Sequence, residues 1–268
     1  ALALTQILGN VAKTVGPAIG GLLIARTSLS LTYSLEAVAF AVGTVLMFRI
    51  GSLKPEGGGQ RFGWASIKEG YSFLRERRLL QANFAIDLNA MIFGMPQALF
   101  PAIGLSMLGG DASTVGLLYA APGAGALIAA VTSGWVGSIV RQGRAVVLAV
   151  IAWGAAIVGF GLAKSVVAAV VFLAIAGGAD VISAVFRNTI LQLAVPDRLR
   201  GRLSSIHIAV VSGGPRLGDF EAGAVASVTT PQISVVSGGL ACIIGAFIIA
   251  RKMPQLDAYR AGDEAALG

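Results

Sequence analysis

Charge is scarce in this chain. Asp, Glu, Lys and Arg make up 12% of its 268 residues, against roughly 25% in a soluble domain. Histidine and cysteine are nearly missing, with His207 and Cys242 the single copies of each. Cys242 cannot close an internal disulfide and reads as a small buried apolar residue. No His-Glu-x-x-His, Gly-x-Ser-x-Gly or P-loop spacing occurs, so no standard enzyme is expected, and with it no catalytic residue, cofactor or metal site.

What fills the chain is apolar. Hydrophobic residues account for 56% and mean hydropathy is +0.81. They gather in eight stretches, at 1–25, 31–50, 81–108, 113–140, 145–163, 166–195, 203–227 and 233–250. Each is long enough, at about 1.5 Å per residue, to cross a hydrocarbon layer of about 30 Å. Backbone in lipid must satisfy its own hydrogen bonds, so the spacing predicts an all-α polytopic membrane protein.

The net charge of +7 invites a nucleic-acid reading, but its placement argues against one. Fifteen of the twenty bases fall in the gaps after the second, fourth, sixth and eighth stretches, among them Arg49, Arg77, Arg78, Arg141, Arg144, Arg198, Arg200, Arg202, Arg251 and Lys252. The alternate gaps hold only Arg26 and Lys164. The excess is an orientation signal that puts both termini of this chain in the cytoplasm, with lipid and not nucleic acid as the partner.

Two copies of Gly-Pro-x-x-Gly stand 198 residues apart, at Gly16-Pro17-Ala18-Ile19-Gly20 and Gly214-Pro215-Arg216-Leu217-Gly218. Each proline removes an amide donor, and the glycines permit bending and close helix contact. The offset suggests two halves of six spans joined by a cytoplasmic linker. Residues 1–50 are then the last two spans of the first half, 51–80 the linker, 81–252 the second six-helix half, and 253–268 a cytoplasmic tail, polar, small and expected to be mobile. About four spans are expected before Ala1, so the chain reads as N-terminally incomplete and in need of those spans for activity. The linker opens with Gly57-Gly58-Gly59, then turns amphipathic through Trp64, Ile67, Tyr71 and Leu74, as an interfacial helix would.

Ionisable residues inside spans are costly and therefore candidates for function. Asn83, Asp87 and Gln97 fall within an arc of about 80° on an ideal helix and predict one polar stripe, with Asp87 the foremost candidate for substrate or proton contact. Asp180, Ser183 and Arg187 share a face of the sixth span. Two turns separate Asp180 from Arg187, so each is expected to find its partner elsewhere. Gly177-Gly178 lets a neighbour or a ligand approach the backbone. In the seventh span Arg216 and Asp219, three apart, are expected to pair as a gating or conformational element. His207 reads as packing or headgroup contact ahead of a proton relay, Lys13 could meet an acidic partner, and Glu36 is hydrated near the outer surface. Ala121-Pro122-Gly123-Ala124-Gly125 reads as a packing and hinge surface.

These residues resemble the major facilitator superfamily. Gly16 to Gly21 is similar to the Gly-Pro motif of that superfamily's antiporters. Arg141-Gln142-Gly143-Arg144 resembles the end of its short basic loop motif, with Val140 where an aspartate is expected. The run Pro196 to Ser205, followed by Gly213 to Asp219, looks like the enterobactin-exporter-type branch, which groups siderophore exporters with multidrug efflux pumps. The resemblance implies two six-helix bundles around a midplane site, proton-driven antiport in a bacterial plasma membrane, and gating by Gly16, Pro17, Gly20, Arg141, Arg144, Gly214, Pro215, Arg216 and Asp219. The expected activity is export of a siderophore or amphipathic drug-like small molecule in exchange for protons. A channel or the membrane subunit of an ATP-driven permease is the alternative, set against the lack of a Thr-Val-Gly-Tyr-Gly filter and of a nucleotide-binding domain.

Overall fold

A computed structural model of the chain describes residues 15–17, 19–49, 72–195 and 197–262, among which every regular element is helical. The helices are α1 (Val15–Arg26), α2 (Leu29–Arg49), α3 (Arg78–Phe93), α4 (Ala112–Thr132), α5 (Gln142–Leu162), α6 (Val166–Ala194), α7 (Asp197–Val228), α8 (Pro231–Lys252) and the short α9 (Pro254–Ala258). Six segments are long and apolar enough to cross a membrane: α2, Arg78–Met107, α4, α5, α6 and α8. The other two expected spans correspond to α1, which is shorter, and to α7, which has 32 residues but carries Arg216, Asp219 and Glu221. The chain is a multi-pass membrane protein.

The third span is broken, which corrects the expected polar stripe. α3 stops at Gly94, whose N–H bonds Ala90 O at 2.8 Å. Pro96 follows, with no N–H to continue the ladder. A 3₁₀ turn at Gln97–Leu99 and a π-turn at Ile103–Met107 complete the crossing. Asn83 and Asp87 therefore share a face, while Gln97 lies past the break and its position no longer follows from 100° steps. Pro101 denies the Gln97 carbonyl its i+4 donor, and that carbonyl accepts the Phe100 N–H within the 3₁₀ turn and the Tyr119 hydroxyl at 3.0 Å. The break is fastened from α5, where Trp153 Nε1 donates to Gly94 O at 3.0 Å. The span ends at Gly109, whose φ of +61° is one that glycine adopts without strain.

Glycines set the helix spacing in the bundle α3–α8. A Cβ on Gly177 of α6 would overlap the Pro122 backbone, and one on Gly125 of α4 would overlap that of Ala174. The neighbour that Gly177 admits is thus α4, and the expected packing surface at 121–125 is the other side of that contact. α5 and α8 meet at Gly154 and Gly239, where a Cβ on either would lie within 2.9 Å of the other's carbonyl oxygen. Without a hydrophobic drive between helices in lipid, such close approach is how spans associate. α2 buries none of its side chains.

Through residue 262 the tail packs against the bundle, where mobility was expected. Leu256 and Tyr259 are fully buried, Gly143 N–H donates to Tyr259 O at 3.3 Å, and Ala261 N–H donates to Val140 O at 2.8 Å. A Cβ on Gly143 would overlap the Leu256 carbonyl. Two large apolar side chains in an otherwise polar stretch supply the burial that fixes it. The amphipathic part of the linker through residue 71, and Lys13, lie outside the described residues. The linker's end is attached to the bundle: Arg77 stacks on the Phe73 ring at 4.2 Å and donates to Ala194 O at 3.3 Å, a cation at the negative end of α6.

Candidate functional site

Charge inside the bundle gathers where α3 meets α6. Asn83 and Asp87 project from one face of α3, and Asp180, Ser183 and Arg187 from one face of α6. The Asp87 carboxylate is in direct contact with the Arg187 guanidinium. Arg187 Nη2 also reaches Asp180 Oδ1 at 3.5 Å. The expectation that Asp180 and Arg187 are too distant to pair is therefore wrong. Helical side chains slant toward the N-terminus, and a long arginine extended that way spans two turns. Asn83 ties the backbone into the cluster, donating to Arg187 O at 3.3 Å.

Exposure separates the two carboxylates. Side-chain exposure is 3% for Asp87 and 6% for Arg187 but 37% for Asp180. Asp180 opens on a cavity of about 40 Å³ shared with Pro96, Gln97, Phe100, Pro122 and Trp153. That volume holds a few waters at most, whereas a drug-sized solute needs a pocket of about 300 Å³ or more. The cavity has room for water and not for such a solute. Gln97, displaced from the polar stripe by the helix break, arrives at this same cavity.

The Gly-Pro motif of α7 bears on the break from the other side. A Cβ on Gly214 would lie 2.8 Å from Met91 Sδ, and one on Gly218 would overlap Met91 O. Asp219 Oδ1 accepts the Ala98 N–H at 2.9 Å, and the exposed Arg216 forms no ion pair with it among the described residues. Asp219 thus holds the broken segment of the third span, and the expected Arg216–Asp219 pair does not form, because the free amide beyond Pro96 is the nearer partner. Pro215 sits within an uninterrupted α7.

The first copy of the motif behaves differently. Gly16 and Gly20 have open space around them, while Gly21 and the Pro17 carbonyl close on Gly116 of α4. Arg141 and Arg144 are exposed at the start of α5, where the helix dipole disfavours a cation. His207 packs edge-on to Phe84, centroids 6.1 Å apart, in keeping with a packing role. Between the ends of α6 and α7 lies a groove of about 410 Å³ whose polar lining is Asn188, Gln192 and His207. Asn188 and Gln192 were not singled out from the sequence, although their four-residue spacing just after Arg187 was a usable signal.

Known proteins share this sequence pattern. The model of the transmembrane secretion effector family matches residues 1–265. The chain is similar to the enterobactin exporter EntS of Escherichia coli O1:K1 / APEC, 26% identical over 258 residues, covering 96% of this chain and 62% of that protein. Likeness to EntS of Shigella boydii serotype 18 has the same extent and identity. EntS of Citrobacter koseri is 24% identical over the same shares. The chain spans 62% of the length of these relatives.

Proposed function

Because the chain belongs to the transmembrane secretion effector family of the major facilitator superfamily, we propose that it forms part of a secondary exporter that exchanges protons for a siderophore or amphipathic drug-like solute by alternating access. The relatives' enterobactin is the first solute to test. The transporter sits in a bacterial plasma membrane with the basic gaps, and both ends of this chain, on the cytoplasmic side.

One observation carries the reading. Asp87 and Asp180 face a single guanidinium, so the Asp87–Arg187–Asp180 cluster holds one net negative charge within the spans. Uncompensated charge at that depth costs a few kcal/mol, and one proton cancels it. Asp180 receives the proton through the small cavity, Asp87 stays as the counter-ion of Arg187, and the α3–α6 contact weakens or tightens with the proton count. The solute, too large for the cavity, binds between this bundle and the rest of the transporter. Gly214, Gly218 and Asp219 hold the broken third span as it moves, and Gly16, Pro17, Gly20, Arg141 and Arg144 act in the same gating step.

The test is efflux from proteoliposomes carrying the whole transporter, with enterobactin as solute and an imposed pH gradient. Collapse of the gradient is expected to stop uphill efflux. Asp180→Asn is expected to uncouple solute movement from protons, and Asp87→Asn to abolish both. Uphill efflux that survives a protonophore removes the coupling, and an ATPase that copurifies and drives transport replaces antiport with the permease alternative.

A further inference from the structure

Arg216 is a charge that neither the Asp87–Arg187–Asp180 cluster nor the helix break uses. It lies deep in a span, because Gly214 and Gly218 on either side of it both close on Met91, near the middle of the Arg78–Met107 crossing. Half of a core of about 30 Å separates that level from either surface, farther than a snorkelling side chain reaches. Arg216 is nevertheless exposed on the bundle and forms no ion pair or hydrogen bond among the described residues. Acyl chains penalise a bare cation at that depth by a few kcal/mol, so it faces water or a ligand.

The side of α7 that carries it is unlike a lipid face. Steps of 100° turn Gly214 and Gly218 toward α3 and set Arg216 on the opposite side, in one ridge with Ser212 and Phe220. All three are exposed, the Phe220 ring by 77%. Ile208 and Leu217 stand to either side, and next to the ridge a Cβ on Gly213 would meet nothing within 4 Å. Across residues 240–248 of α8, by contrast, the exposed side chains are Leu240, Ile244, Phe247 and Ile248, the composition that lipid favours. Ser212 adds a free hydroxyl. Ser34, Thr44, Thr132 and Thr189 each bond a carbonyl of their own helix, whereas Ser212 Oγ bonds nothing among the described residues.

These parts select one kind of ligand. A guanidinium offers a planar fork of donors that fits a carboxylate or a phenolate oxygen. The Ser212 hydroxyl supplies a further donor, and the ring one turn beyond Arg216 gives a flat surface on which an aromatic body stacks. A cationic solute finds no counterpart on this ridge. Asp219 is turned to the Ala98 N–H, and Glu221 falls on the side of Gly214.

Resting on the export reading, in which the solute binds between this bundle and the rest of the transporter, we propose that Ser212, Arg216 and Phe220 receive the acidic end of the solute. The transported class is then aryl acids, with a carboxylate or an ionisable phenol on an aromatic body, and not cationic amphiphiles. Arg216 sets the charge preference, Ser212 adds a hydrogen bond, and Phe220 holds the ring.

The probes are naphthoate and the uncharged naphthamide, matched in shape, titrated by calorimetry onto the whole transporter in nanodiscs with no gradient. The wild type is expected to bind naphthoate about tenfold tighter than the amide, the effect of one charge-assisted contact. Arg216→Gln is expected to erase that ratio at an unchanged melting temperature, and Arg216→Lys to keep part of it. Phe220→Ala should weaken both probes alike and leave the ratio standing. Binding of neither probe, or a ratio that Arg216→Gln does not move, overturns the site. A lowered melting temperature with an unmoved ratio also overturns it and assigns Arg216 to an ion pair with another span. The two readings fail separately. An Arg216-dependent ratio in a transporter that exports no enterobactin upholds the site and sinks the export reading, whereas enterobactin export with an unmoved ratio sinks the site alone.

Discussion

The two halves of α6 hold their neighbours in opposite ways. Around residues 174–178 the side of the helix toward α4 carries only Ala174, Gly177 and Gly178, and Ala174 and Gly177 lie against the α4 backbone at Gly125 and Pro122. Around residues 180–187 it meets α3 through Arg187, which pairs with Asp87 of α3 and with Asp180 of its own helix. The first contact depends only on shape and contains no titratable group, so neither proton nor salt changes it. The second depends on how many protons its carboxylates carry. One helix therefore has a face without titratable groups and a face with them, and the proposed proton coupling predicts that a proton arriving at Asp180 alters the α3 contact while α4 stays in register.

The strongest blow to that contrast falls on the responsive face. Arg187→Leu leaves two carboxylates within the spans without a cation, and removing one partner of a buried pair costs about 3–5 kcal/mol. A marked drop in melting temperature of the purified transporter and loss of efflux are expected. The double variant Arg187→Leu, Asp87→Leu removes the more deeply buried of the two stranded carboxylates, and should recover part of the melting temperature with no efflux. If the single variant melts like the wild type, the cluster is not what holds α3 to α6.

The fixed face is tested by one methyl. Gly177→Ala gains about 1 kcal/mol of helix propensity, but its Cβ overlaps the Pro122 backbone, which cannot turn aside, and such overpacking costs about 1–3 kcal/mol. A net loss of thermal stability is expected. Gly223→Ala in α7, where a Cβ meets nothing within 4 Å, should hold or raise it. Equal behaviour of the two variants would mean that the α4–α6 contact is not limited by backbone approach.

How much of this could be read beforehand follows from the range of each effect. Spans and class were legible because hydropathy is a local property, and Asp87, Asp180 and Arg187 stood out because charge in a span is rare. Their meeting was half legible. Spacing put Asn83 with Asp87 and Asp180 with Arg187 on common faces, but the reach of an extended arginine closes a two-turn gap that counting residues leaves open. Gln97 was misassigned because the ideal helix was carried across Gly94 and Pro96, where the proline's effect on the ladder was visible in the sequence itself. The Arg216–Asp219 pair failed for a different reason. A local i,i+3 rule cannot see a free amide 121 residues away at Ala98. The packing of residues 254–262 depends likewise on where Leu256 and Tyr259 find a surface, which is Gly143.

The smallest expected effect lies at the start of α4, the helix that supplies the fixed surface. Asp111 caps it, Oδ1 accepting from Ser113 N–H at 3.0 Å and Thr114 N–H at 3.1 Å. The Ser113 hydroxyl first, and then the Thr114 amide, hold the Asp111 carboxyl below its ordinary value of 3.8. A carboxylate lowered in the folded state contributes its full stabilisation above the unfolded value and loses it as pH falls through the folded one. The cap is thus complete at neutral pH and fails only in strong acid. Because Asp111 is exposed, the loss stays local. Asp111→Ala should lower the protection of the Ser113 and Thr114 amides against hydrogen exchange at neutral pH, without altering protection at residues 174–178. Faster exchange at Gly177 as well would show that the fixed half of α6 depends on how α4 begins, and that shape alone does not hold it.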